Sequence, residues 1–120
     1  MDLTFELRRV YDHDPTEGYK VLVDRLWPRG ISKQKLVLDG WWKELTPSPS
    51  LRKWFHHEAA KWDAFQIKYL EELKAHEKEA KERLKEAALH ANTVILLYAA
   101  KDPVYFHAKI LKSYLEELSS

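Results

Sequence analysis

Two short runs, Val21-Leu22-Val23 and Thr93-Val94-Ile95-Leu96-Leu97-Tyr98, are apolar at consecutive positions, so any strands they form must be covered on both faces. Strands of that kind belong to parallel sheets flanked by helices. Between them lies segment 58–91, free of glycine and proline, in which Trp62, Phe65, Tyr69, Leu73, Ala80, Leu84, Ala87 and Ala91 recur mostly at intervals of three or four. That periodicity predicts helix throughout. Two buried strands separated by helices imply a parallel pair with a right-handed crossover. The expected architecture is a small α/β sandwich, with a short, at least partly parallel sheet and helices packed on it. A chain of 120 residues matches one domain, spanning 1–120, and has no room for a second.

Local signals refine this outline. Leu3, Phe5 and Leu7 alternate with Thr4, Glu6 and Arg8, the period of a first strand with one solvated face. Residues 12–18 have the composition of a turn. After Gly30 come short helical pieces rich in tryptophan, with Trp41 and Trp42 first and then Leu51, Trp54 and Phe55 at core spacing. Ser48 followed by Pro49 reads as a helix N-cap and first helical position. A single straight helix over 58–91 would extend roughly 50 Å at 1.5 Å per residue. A compact chain of this length has a radius of gyration near 13 Å, so a break is expected at 74–77, where the apolar recurrence lapses. Glu77/Lys81 and Glu79/Arg83 are helix-supporting pairs on a solvated face. Asp102-Pro103 is expected to open a last helix with the stripe Val104, His107, Leu111, Tyr114 and Leu118.

Composition limits the chemistry. Twenty basic and nineteen acidic residues nearly cancel, which argues against non-specific nucleic-acid binding. With no cysteine, disulfides, thiolate metal sites and thiol nucleophiles are excluded. The longest apolar run, 94–100, is far short of the roughly 20 residues of a membrane span. The start Met-Asp-Leu-Thr-Phe-Glu lacks a signal peptide's basic and apolar regions, so a cytoplasmic location is expected. One methionine and no cysteine beside 39 charged residues (20 + 19) resemble the bias of hyperthermophile proteins and predict a thermophilic source.

Ligands of parallel sheets bind outside the carboxyl ends of the strands. Here those ends carry Asp24, Arg25, Trp27 and Arg29 from one strand and Lys101 and Asp102 from the other. Arg25, Arg29, Lys101 and Arg52 are candidates for holding a small phosphate- or carboxylate-bearing ligand, since guanidinium forks bind such groups bidentately. His107 and Asp24 are candidates for proton transfer. Each has a plainer reading: Arg25 and Arg29 can pair with Asp24 and Asp39, Asp102 suits a helix N-cap, and His107 can be a packed, hydrogen-bonded core residue. His56-His57-Glu58 has no third ligand placed by spacing, so no metal site is expected there. At helical spacing most tryptophans are expected in the core.

The segments Arg9-Val-Tyr-Asp12, Val21-Leu-Val-Asp-Arg-Leu-Trp-Pro-Arg-Gly-Ile31, Leu51-Arg-Lys-Trp-Phe55 and Leu96-Leu-Tyr-Ala-Ala-Lys-Asp102, with His107-Ala108, closely resemble the YeaO-like family of uncharacterised bacterial and archaeal proteins. That family is a branch of the domain of unknown function family 488. The resemblance covers nearly the whole chain and brings no established reaction or cofactor. In the wider family cysteines often stand where this chain has Tyr98 and Phe106, and close relatives commonly carry asparagine in place of Phe106. Two functional classes follow: a small anionic-ligand-binding protein or enzyme with its site at the strand ends, or a non-catalytic module for a protein or RNA partner. A concave pocket favours the first. A flat surface with exposed Trp27 or Trp42 favours the second.

Overall fold

The computed structural model describes residues 2–12 and 17–120; most of the expected 12–18 turn lies outside them. Four strands, β1 (Thr4–Arg9), β2 (Tyr19–Leu22), β3 (Gly40–Trp41) and β4 (Thr93–Tyr98), form one sheet in the order β1-β4-β2-β3. Every pairing is parallel. The two runs apolar on both faces are therefore neighbours at the centre: Val21 pairs with Leu96 and Leu22 with Leu97. Val21, Leu22, Val94 and Leu96 have no exposed surface. β1 is an edge strand, and of its residues only Phe5 is buried.

Four helices complete the fold: α1 (Pro49–Phe55), α2 (Trp62–Ala75), α3 (Glu77–Ala88) and α4 (His107–Ser119). Their apolar residues, among them Leu51, Phe65, Tyr69, Leu84 and Leu111, form one core with Val21, Val23, Val94 and Leu96. Leu22, Ile95 and Leu97, which alternate with those strand residues, are also buried. The expected break in segment 58–91 occurs at His76, whose φ of −109° and ψ of 23° end α2. The His76 ring hydrogen-bonds back to the Glu72 carbonyl at 2.9 Å. Folding the two helices back keeps the radius of gyration at 13.9 Å.

Several local expectations are corrected. Trp41 belongs to β3, followed by a single 3-10 turn over Lys43–Leu45; a two-residue strand is too short to carry a periodic signal. Regular helix in 58–91 starts at Trp62 and ends at Ala88. Trp54 is 37% exposed, so α1 buries only Leu51 and Phe55. Lys81 pairs with Glu77 at 3.4 Å, but Arg83 turns to Glu44 and Glu86. The last helix begins at His107, not Pro103, and Val104 is 48% exposed off its stripe. Asp102 instead caps a tight turn, accepting from the N–H groups of Val104 (2.9 Å) and Tyr105 (3.1 Å). These two bonds hold its carboxyl below the usual carboxylate value. The expected cap at Ser48 is present: its Oγ accepts from the Leu51 N–H at 3.2 Å, with Pro49 in the first turn. No helix is long and apolar enough to cross a membrane among the described residues.

Candidate functional site

Because all four strands are parallel, their carboxyl ends open on one edge. The segments leaving them surround a cavity of about 440 Å³. β1 contributes Tyr11, β2 contributes residues 24–29, β4 contributes Ala99 and Ala100, and His107 enters from the start of α4. The far wall is α1 and its flanks, with Pro47, Arg52, Phe55, His56 and His57. Among the described residues the lining holds three arginines, at 25, 29 and 52, and a single carboxylate, Asp24. None of these arginines makes an ion pair among the described residues.

The loop after β2 is held at several points. Trp41 donates from its indole N–H to the Asp24 carbonyl at 2.7 Å, and Trp27 to the Ile31 carbonyl at 2.6 Å. Tyr11 donates its hydroxyl to the Arg29 carbonyl at 3.0 Å. Gly30 sits at φ +75°, a conformation that β-carbon-bearing residues adopt at a cost. Nothing lies within 4 Å of where its Cβ would be, so the backbone geometry, not space, is what glycine serves there. Across the cavity, His56 and His57 take φ of 45° and 56° in succession at the end of α1. Consecutive left-handed non-glycine residues are strained, and such strain concentrates at ligand sites.

Asp24 is the electrostatic centre. Its Oδ2 accepts from the Ala99 N–H at 2.8 Å, linking the ends of β2 and β4. Its Oδ1 is buried with no hydrogen-bond partner. His107 Nε2 lies 3.4 Å from that oxygen and 2.7 Å from the Val23 carbonyl oxygen. A carbonyl can only accept, so Nε2 carries the proton and Nδ1 is the unprotonated nitrogen of the neutral ring. Burial is the main force depressing the pKa of His107, and the charge of Arg52 adds to it; Asp24 and the Val23 carbonyl oppose both. The ring also meets Tyr69 edge-on at 6.1 Å, and the buried Tyr69 hydroxyl donates to the Leu45 carbonyl at 2.6 Å.

Of the residues singled out from sequence, Asp24, Arg25, Trp27, Arg29, Arg52 and His107 border the cavity. Lys101 and Asp102 do not; both are exposed, because the chain turns away from the sheet edge after Ala100. The alternative pairing of the arginines with Asp24 or Asp39 is also absent among the described residues. Arg25 Nε reaches the Pro47 carbonyl at 3.4 Å, and Asp39 accepts from the Lys20 N–H at 2.7 Å. Tyr11, Tyr105 and the imidazoles of His56 and His57 were not legible as cavity residues. Tyr11 joins only because β1 runs parallel to β4. Arg9, at the end of β1, braces the opposite strand end by donating to the carbonyls of Ala100 (3.0 Å) and Ala99 (3.4 Å). Tyr98 and Phe106, the two positions where the resemblance points to cysteines, stack on each other with ring centres 4.7 Å apart. Among the described residues no group of three His, Asp or Glu side chains is placed to hold a metal ion.

Comparison with known proteins places the chain in a family. The profile of the family described as the inactive DUF488-N3 subclade matches residues 4–120. The uncharacterised protein YeaO of Escherichia coli (strain K12) is 46% identical over 117 residues, covering 97% of this chain and all of that one. Uncharacterised proteins of Mycobacterium bovis and Mycobacterium tuberculosis are 48% identical over 66 residues, covering 54% of this chain and 56% of theirs. No solved structure matches the chain significantly. With the profile spanning almost every residue, the chain belongs to the YeaO-like branch of the DUF488 family, in the subclade described as inactive.

Proposed function

We propose that the protein binds a small phosphate- or carboxylate-bearing ligand in the cavity at the carboxyl edge of its sheet. The observation that carries this reading is the lining itself: among the described residues Arg25, Arg29 and Arg52 face one space with Asp24 as the only carboxylate, and no ion pair neutralises them. Three like charges beside one counter-charge leave a positive surplus, and an anion relieves their repulsion. Guanidiniums also present the fork geometry that phosphate and carboxylate accept.

Retention of the ligand fits better than its turnover. The family's description as inactive points the same way. So does the stacked Tyr98–Phe106 pair, and His107 has its Nε2 proton committed to a backbone carbonyl. The competing reading of a flat docking surface needed Trp27 or Trp42 exposed. Trp42 is 1% exposed, and Trp27 borders the cavity.

The test is calorimetric titration with inorganic phosphate and with citrate. Binding is expected, with affinity that falls as salt rises. Arg25→Ala and Arg29→Ala should each abolish the heat of binding and leave the melting temperature nearly unchanged. A loss of stability with binding intact would assign the arginines to the fold instead.

A further inference from the structure

We infer that the ligand of this cavity is a mononucleotide: a planar base with an N–H donor on its edge, carried on a phosphate ester. The inference rests on the anion-binding reading above and adds what the remainder of the cavity demands.

The first demand comes from Asp24. One carboxylate oxygen is satisfied by the Ala99 N–H, while Oδ1 is buried and has no partner. His107 Nε2 stands 3.4 Å away with its proton directed to Val23 at 2.7 Å. An unsatisfied buried acceptor is costly and rare. A fully ionised carboxylate or phosphate group, which only accepts, cannot satisfy it. The complete ligand therefore carries an N–H or O–H donor at one end and an anion at the other, which the edge of a nucleobase and its phosphate supply.

The second demand comes from the aromatic wall. Phe55, Phe65 and Phe106 are at most 7% exposed and form a floor, but Tyr11 is 40% exposed and Trp27 and Tyr105 are half-buried. The polar atoms of Tyr11 and Trp27 are spent on the backbone of the 29–31 turn, at 3.0 and 2.6 Å. Arg9 lies over the Tyr11 ring at 5.2 Å and Lys33 over the Trp27 ring at 5.8 Å, so what these side chains offer a ligand is their remaining ring surface, and every base has a π-face to stack on it.

Charge separates this ligand from a free amino acid, whose ammonium and carboxylate would also meet Asp24 and an arginine. Among the described residues, three guanidiniums against one carboxylate leave a surplus that a monocarboxylate does not match. A phosphate monoester, with a charge of about −1.5 to −2 at pH 7, does. A cavity of about 440 Å³ also lies within the range of about 300–1,000 Å³ typical of small-molecule sites.

The experiment is calorimetry on the full chain with four nucleoside monophosphates (AMP, GMP, CMP and UMP), ribose 5-phosphate, inorganic phosphate and phenylalanine. At least one nucleotide should bind tenfold or more tightly than ribose 5-phosphate. Asp24→Asn should lower nucleotide affinity without lowering that for inorganic phosphate. Tyr11→Leu, at an exposed position, should narrow the ratio of nucleotide to ribose 5-phosphate affinity. If ribose 5-phosphate binds as well as every nucleotide, or phenylalanine binds best, the inference is overturned and the anion reading stands. Nucleotide binding untouched by both substitutions overturns the assignment to this cavity. If neither phosphate nor any phosphorylated compound binds, both readings fall together.

Discussion

His107, the first residue of α4, donates from Nε2 to the carbonyl oxygen of Val23, the residue after β2, at 2.7 Å. That bond joins two elements 84 residues apart in sequence and closes the rear of the cavity. It also fixes Nε2 as the proton-bearing nitrogen, in a site where burial depresses the pKa.

A pH dependence follows, and its sign is set by the depressed value. Below about 6.5 the unfolded chain takes up a proton at this position that the folded chain resists, so the fold loses stability as pH falls from there through the lower folded value. Above about 6.5 the contribution is constant. His107→Gln retains an N–H donor and does not titrate. Urea unfolding of both proteins from pH 8 to 5 should show a constant difference above pH 7, then a drift in favour of the variant. A drift in favour of the native protein would mean that an imidazolium–Asp24 pair outweighs burial.

Arg52 and Lys101 carry the same charge, but only Arg52 borders the cavity. Hydrogen bonds to charged groups are worth about 1.5–3 kcal/mol, or roughly ten- to a hundredfold in affinity. Arg52→Ala should weaken phosphate binding by that amount, and Lys101→Ala by less than about twofold, as expected of a distant screened charge. Equal losses in the two variants would show that net charge, not the cavity, attracts the anion.

Ser48 and Glu72 form a closed unit beneath α1. The Glu72 carboxylate accepts from the Ser48 N–H at 2.8 Å and from its hydroxyl at 2.6 Å, while the Ser48 Oγ accepts from the Leu51 N–H. Ser48→Ala should cost about 1–2 kcal/mol, the upper part of the range for a helix cap. Groups that share hydrogen bonds couple by about 0.5–3 kcal/mol, so the double variant with Glu72→Ala should be less destabilised than the two single losses summed. Chemical denaturation decides; strict additivity would mean that the carboxylate does not support the cap.

The composition carries a prediction of its own. One methionine, no cysteine and 39 charged residues (20 + 19) in 120 form the labile-poor, charge-rich profile of thermophile proteins. A reversible melting midpoint above the 45–65 °C of ordinary mesophile domains is expected, with roughly 65 °C as the dividing value. Calorimetry below that value would remove the thermophilic assignment.

What the sequence determined by itself was whatever depends on short-range pattern. Apolar runs of period one had to become central strands, and Val21 and Leu96 accordingly lie side by side with no exposed surface. The 58–91 periodicity and its lapse specified two helices and their break, and Ser48-Pro49 specified a cap, because each is a matter of neighbouring residues. Tertiary structure decided everything that depends on direction and distance. A two-residue β3 has no period to read, and Trp54, expected at core spacing, is 37% exposed while Trp42 is 1% exposed, because packing, not spacing, ranks two tryptophans. Lys101 lies three residues past the end of β4 yet outside the cavity lining, while Arg52, on a separate helix, belongs to it. The cavity exists because parallel pairing brings the ends of β1, β2 and β4 to one edge, where Asp24 meets Ala99 across 75 residues of chain. No local rule fixes such a contact, since the free energy that selects it comes from burying the whole sheet at once.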